Sequence, residues 1–227
     1  MPIPENKKKT LNNHLLILPC TSEKVFGGVK LKNPNNNFST NQNILKCREN
    51  RFNFYKEELL KEDVKKYFNK KRQINFNNVI KVNNKYFKKC IDEPYYMMAI
   101  DRYDGILYTK KVKELVKEKI KEGLHVLIIS GLYGILKYDD HIIDYQLEIK
   151  TGGFNVWKKN NINCISDILE KYISDNKIKH ENITVILSGE YMKAFEKSKK
   201  FEKNIWDCAE GYGHNHVSYL LKYLTNL

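Results

Sequence analysis

The 227-residue chain has no run of about eighteen apolar residues, the length that a bilayer-spanning helix requires. Its amino-terminal stretch MPIPENKKKTLNN carries positive charge but no apolar segment of signal-peptide length. These two absences predict a cytoplasmic protein with no membrane partner. Cysteine is sparse. Cys20, Cys47, Cys90, Cys164 and Cys208 are odd in number, scattered and without a CxxC pair, which argues against both a disulfide framework and a zinc ribbon. No internal repeat is visible. GYGHNHVSYLL (Gly211 to Leu221) sets two glycines before a helical pattern, where N–H groups could receive a phosphate, but the full dinucleotide and P-loop patterns are missing and plain helix entry explains it as well. No metal and no cofactor are expected: His214 and His216, imaginable as ligands together with Cys208, point apart on a helix. Carboxylates are also in deficit, 27 against 40 Lys and Arg, for a formal charge of +13. Polyanions attract such a surface by releasing their counterions, so nucleic acid, DNA first, is the expected partner class. An AT-rich coding sequence, with its lysines, would produce the same charge without purpose. Nothing in the composition specifies an oligomeric state.

What the chain does have is an alternation of two patterns. HLLILPC (His14 to Cys20), HVLIIS (His125 to Ser130) and ITVILSG (Ile183 to Gly189) are continuous apolar runs rich in branched residues, the signature of strands buried on both faces. Before the second lies TKKVKELVKEKIKEG, whose Val112, Leu115, Val116 and Ile120 form a helical stripe that Gly123 is placed to end. Between the second and third lies NCISDILEKYISDN, with Ile165, Ile168, Leu169, Tyr172 and Ile173 at helical spacing. A last helix over about 215–224 would pack Val217, Leu220, Leu221 and Leu224. The alternation predicts an α/β fold with a mostly parallel sheet and packed helices, in a single domain over 1–227. Residues 46–95, basic with interleaved aromatics, read as a largely helical insertion. Val25 to Thr40, with its glycines, proline and asparagine run, reads as a long, poorly ordered loop or flap.

In open parallel sheets, ligands bind beyond the carboxyl ends of the strands. The three runs end in PCTSEK, SGLYG and SGEY. If the strands are neighbours, Ser22, Lys24, Ser130, Gly131, Tyr133, Ser188 and Glu190 surround one pocket, with glycines for close approach, a ring and a cation. The same residues also suit ordinary turns. After SGLYG, Asp139, Asp140, Asp144, Tyr145 and Glu148 crowd ten residues, dense for a basic protein. A carboxylate here could stabilise an oxocarbenium-like cation or activate water; hydration or helix capping are the plain readings. Cys20 stands where a nucleophile could sit, though a small buried cysteine is commoner. His14 and His125 open strands and are expected to be structural, and Trp157 and Trp206 to line the core or a pocket wall.

YDGILYTKK (Tyr103 to Lys111), LIISGLYGILKYDDHIIDYQLEI (Leu127 to Ile149), FNVW (Phe154 to Trp157) and VILSGEYMKAF (Val185 to Phe195), in this order, resemble the YaaA family, associated with peroxide stress. The likeness runs from about residue 95 to 196, with a weaker echo at LLILPC. It implies a compact α/β fold, DNA binding and a link to base-excision or base-exchange chemistry. By position it points to Asp104, Gly105, Tyr108, Ser130, Gly131, Tyr133, Gly134, Asp140, Tyr145, Glu148, Ser188, Glu190 and Tyr191. The chain departs from the family where Asp144 replaces a frequent proline and PCTSEK replaces a shorter lysine-containing loop. It has no helix-hairpin-helix signature, so the basic Lys46 to Lys89 segment is expected to hold the DNA backbone. Chemistry on a base in a duplex requires extruding it into a pocket. On that reading Tyr133 stacks or shapes the pocket, Ser130 and the glycine N–H groups bind base or phosphate, and Asp140 or Glu148 acts on the sugar or on water. The expectation is a DNA glycosylase-like hydrolase; the rivals are a non-catalytic DNA-binding stress protein and an enzyme acting on free nucleosides or nucleotides.

Overall fold

The structure is a computed structural model that describes residues 11–32, 34–38, 41–58, 95–145, 147–149, 157–159, 162–187, 189–193 and 214–227. In chain order its strands are β1 (Leu15–Pro19), β2 (Val29–Lys30), β3 (Tyr95–Met98), β4 (His125–Ser130), β5 (Gly134–Lys137), β6 (His141–Ile142), β7 (Lys158–Lys159), β8 (Ile162–Asn163) and β9 (Ile183–Val185). The longer helices are α1 (Gln42–Glu58), α2 (Lys110–Lys121), α3 (Cys164–Asp175) and α4 (His214–Asn226).

The three apolar runs become adjacent strands of one sheet of order β5-β4-β1-β9. β1 pairs in parallel with β4 on one side and β9 on the other, Leu15 opposite both His125 and Ile183. Alternate side chains of these strands then face opposite ways. Leu16, Leu18, Val126 and Ile128 join the core under α2 and α4, with Val112, Val116, Leu220 and Leu224. Leu15, Ile17, Leu127 and Ile129 join the core under α3 and α1, with Ile165, Ile168, Leu169 and Ile44. Helices on both faces explain why the strands read as unbroken apolar runs.

β5 returns antiparallel to β4. SGLYG is therefore the tip of a hairpin and not a strand-to-helix turn. Thr109 caps α2 by accepting the Val112 N–H at 3.4 Å, and Gly123 follows the helix with φ of +107°, where a side chain would be strained. The expected helix over 46–95 appears in its first part as α1; residues 59–94 lie outside the described residues, as do Ser188, Trp206 and Cys208.

The stretch expected as a loop or flap over 25–40 is described over 25–32 and 34–38, where it is irregular apart from β2 and is tied to its neighbours. β2 pairs with β3, and β3 with β6, as a second small sheet. The Asn35 N–H donates to His141 Nδ1 at 3.0 Å, and Phe38 is buried in the core. Two-residue strands carry too little periodicity to be read from sequence. No helix among the described residues is long and apolar enough to cross a membrane.

Candidate functional site

The carboxyl ends of β1, β4 and β9 deliver Cys20, Ser130 and, one turn on, Tyr191 to the same region. Tyr191 Oη donates to the Cys20 carbonyl at 2.8 Å. With that hydrogen committed, the 3.2 Å contact between Tyr191 Oη and Cys20 Sγ makes the thiol the donor. Tyr108 Oη donates to the Pro19 carbonyl at 2.7 Å, closing the end of β1 from the other flank.

Ser130 has a fixed orientation. Its Oγ accepts the N–H groups of Leu132 at 3.3 Å and Tyr133 at 3.0 Å, so its own hydrogen goes to Tyr145 Oη, 2.7 Å away. Tyr145 Oη in turn lies 2.8 Å from Tyr103 Oη. Over this pair sits Lys24, whose Nζ is 4.2 Å from the Tyr145 ring centroid and 5.6 Å from that of Tyr103, and donates to the Thr21 carbonyl at 2.7 Å. Tyr133 completes the aromatic wall edge-on to Tyr145, its hydroxyl oxygen accepting the Ile143 N–H. Burial raises Tyr103 and Tyr145 well above the usual tyrosine range, with Cys20 adding to both, so at neutral pH both phenols keep their protons. The cluster is a set of hydroxyl, thiol and ammonium donors.

Two arginines of α1 hold the SGLYG tip. Arg51 Nε donates to the Gly131 carbonyl at 2.7 Å and its Nη2 to the Glu148 carbonyl at 2.8 Å. Arg48 donates to the Tyr133 carbonyl at 2.8 Å, the Ile135 carbonyl at 2.7 Å and Asn36 Oδ1 at 2.6 Å. Both are buried, so these two cations of the basic segment serve the interior, while Arg72 and the segment's lysines from 61 on lie outside the described residues. Gly131 is required because a Cβ there would strike the Leu147 carbonyl, and at Gly134, with φ of +77°, a Cβ would meet the Trp157 ring.

Of the residues expected from sequence, Lys24, Ser130, Gly131, Tyr133, Tyr145 and Tyr108 thus come together. Ser22 is exposed on the rim, and Glu190 lies partly buried and ion-paired with Lys193 at 3.2 Å. The two proposed catalytic carboxylates are differently placed. Asp140 is buried, and its oxygens accept the Asn37 N–H, Asn37 Nδ2 at 2.9 Å and the Lys137 N–H at 2.8 Å. Burial raises its pKa against the opposing pull of these donors and of Arg48. Asp139 likewise accepts Asn37 Nδ2 at 3.0 Å, so much of the acidic crowding is a tie between the β5–β6 turn and residues 35–37. Glu148, in contrast, is exposed, with its backbone packed over Gly131 beside the site. Among the described residues no group of three or more His, Cys, Asp or Glu could hold a metal.

Sequence reasoning missed Tyr103, Arg48, Arg51 and Arg102. The α1 pair had a signal: Ile44, Cys47, Arg48 and Arg51 follow i, i+3, i+4, i+7, a buried stripe finished by arginines.

The profile of the family described as Peroxide stress protein YaaA matches residues 14–211, and the chain belongs to that family. It is 31% identical over 119 residues to a UPF0246 protein of Lachnoclostridium phytofermentans, covering 50% of this chain and 44% of that one. With a UPF0246 protein of Clostridioides difficile it shares 34% identity over 116 residues, 48% of this chain and 44% of the relative. A UPF0246 protein of Rickettsia felis is 41% identical over 80 residues, 33% of this chain and 30% of the relative. The chain thus spans less than half the length of these curated relatives.

Proposed function

We propose that this member of the peroxide stress protein YaaA family binds DNA and hydrolyses the N-glycosidic bond of a nucleotide extruded into the region beyond β1, β4 and β9. The observation that carries the reading is the convergence of Lys24, Ser130, Tyr103, Tyr133 and Tyr145 at the carboxyl ends of adjacent parallel strands, where open α/β sheets bind ligands. A departing base gains negative charge, and hydroxyl and ammonium donors suit it. Aromatic rings suit its faces. Glu148, exposed beside the Gly131 turn, is the carboxylate to activate water or stabilise the sugar cation, while Asp140 holds the neighbouring loop. The +13 charge favours a polyanionic substrate.

The test is abasic-site formation on duplexes carrying modified or mismatched bases. Glu148→Gln is expected to lower the rate about 10²- to 10⁴-fold with DNA affinity retained, and Asp140→Asn to act mainly through stability. Absence of abasic sites on every duplex, or full activity in Glu148→Gln, overturns the catalytic reading. A non-catalytic DNA-binding stress protein is the second reading, favoured by the burial of Ser130, Tyr103 and Tyr145, which closes the cluster in the present conformation.

A further inference from the structure

We infer that Phe26 is a stacking wedge for an unstacked base of a nucleic acid, presented on a clamped stem at the margin of the site. The inference rests on the nucleic-acid reading above and adds the surface that meets the duplex. Phe26 is 52% exposed, and Val29 56%, Tyr95 38% and Met98 38%, all from the β2–β3 ribbon and the loop leading into it. Isolated exposed apolar side chains are ordinary. This one differs in how its backbone is held.

The stem is fixed by the fully buried Arg102. The Val25 N–H donates to the Arg102 carbonyl at 2.7 Å, and Arg102 Nη1 donates back to the Val25 carbonyl at 2.6 Å. Nη2 of the same guanidinium reaches the Tyr95 carbonyl at 3.2 Å. On the other side of Phe26, Gly27 and Gly28 have φ of +91° and +119°, and a Cβ at Gly28 would strike the Tyr96 carbonyl. A buried cation on one side and two glycines in conformations unfavourable to other residues on the other therefore fix the course of the backbone that carries Phe26. A side chain on a fixed backbone costs less ordering of the main chain on binding.

Two residues earlier on the same segment, Lys24 turns inward over Tyr145 and bridges to Tyr103. The segment thus places a cation inside the site and a ring outside it. The same ribbon carries exposed Lys30, with Nζ 5.7 Å from the Tyr95 ring centroid, and exposed Lys32, and residues 25–32 and 95–98 contain no carboxylate. Apolar side chains backed by positive charge enter between base steps and stabilise an extruded nucleotide. Charge of one sign beside the apolar side chains is the feature that favours a polyanion as the occupant.

The experiment uses the full chain and a duplex with one mismatched 2-aminopurine, following affinity and fluorescence together. Phe26→Ala is expected to weaken binding about tenfold, within the range of roughly 5- to 150-fold for one stacked base, and to abolish the fluorescence rise of the unstacked base. Phe26→Trp should restore both, with thermal stability unchanged in each variant. Unaltered affinity and fluorescence in Phe26→Ala, with the parent protein binding DNA, overturns the wedge and leaves the nucleic-acid reading standing. No DNA binding by the parent protein overturns both. A change in sedimentation of Phe26→Ala without a change in DNA affinity assigns the patch to contact between copies and also overturns the wedge.

Discussion

Ser130 is the residue on which the site's polar order turns, because its hydroxyl serves two N–H groups of the SGLYG tip and the Tyr145 phenol together. Ser130→Ala strands two buried donors, and urea unfolding should register a loss of about 1–3 kcal/mol for each. His125 gives the pH counterpart. Its Nε2 lies 2.9 Å from the Asn12 carbonyl and so carries the hydrogen, which leaves Nδ1 to accept from Tyr172 Oη at 2.8 Å. Burial lowers its pKa, with Lys137 acting the same way against the pull of the Asn12 carbonyl. The unfolded chain therefore binds the proton first. Stability from this group is full above the ordinary histidine value and is lost as pH falls through it. Unfolding midpoints at pH 7.5 and 5.5 should diverge in the parent protein, and less so in His125→Gln.

Among the elements, α1 and the β4–β5 hairpin act as one unit through Arg48 and Arg51. Arg51→Met leaves the Gly131 and Glu148 carbonyls without that donor, at a cost of about 1.5–3 kcal/mol for a hydrogen bond to a charged group. Hydrogen exchange should then quicken in Gly131 to Tyr133 and in α1 together. Unchanged protection in the tip would show that α1 does not brace it. This is also where sequence and structure part company. β1, β4, α2, α3 and α4 were legible because burial on two faces, or on one stripe, imposes a period on side chains. The bracing was not, because an arginine turned inward looks the same in a basic sequence as one turned to solvent. Similarly, the spacing of SGLYG named the residues of the tip but could not say that the chain reverses there. The carboxylates after it suggested catalysis, whereas Asp139 and Asp140 meet Asn37 from a loop about a hundred positions earlier.

For the molecule as a whole, not every cation is available to a partner, since Arg48, Arg51 and Arg102 are buried on internal carbonyls. Binding to duplex DNA is expected to weaken with salt, and each phosphate neutralised adds about 0.9 to the slope of log affinity against log salt. Replacing exposed Lys30 with alanine should lower that slope by about one, whereas Arg48→Met should leave it unchanged. A flat response to salt would exclude a polyanionic partner.

The order β5-β4-β1-β9 has a consequence for synthesis. LLILP leaves the ribosome first of the four strands, yet its neighbours follow about 110 and 168 residues later. During that interval a segment apolar on both sides has neither edge occupied, the condition in which nascent chains aggregate or are taken up by chaperones. Expression yield should therefore depend on how quickly translation reaches Val185.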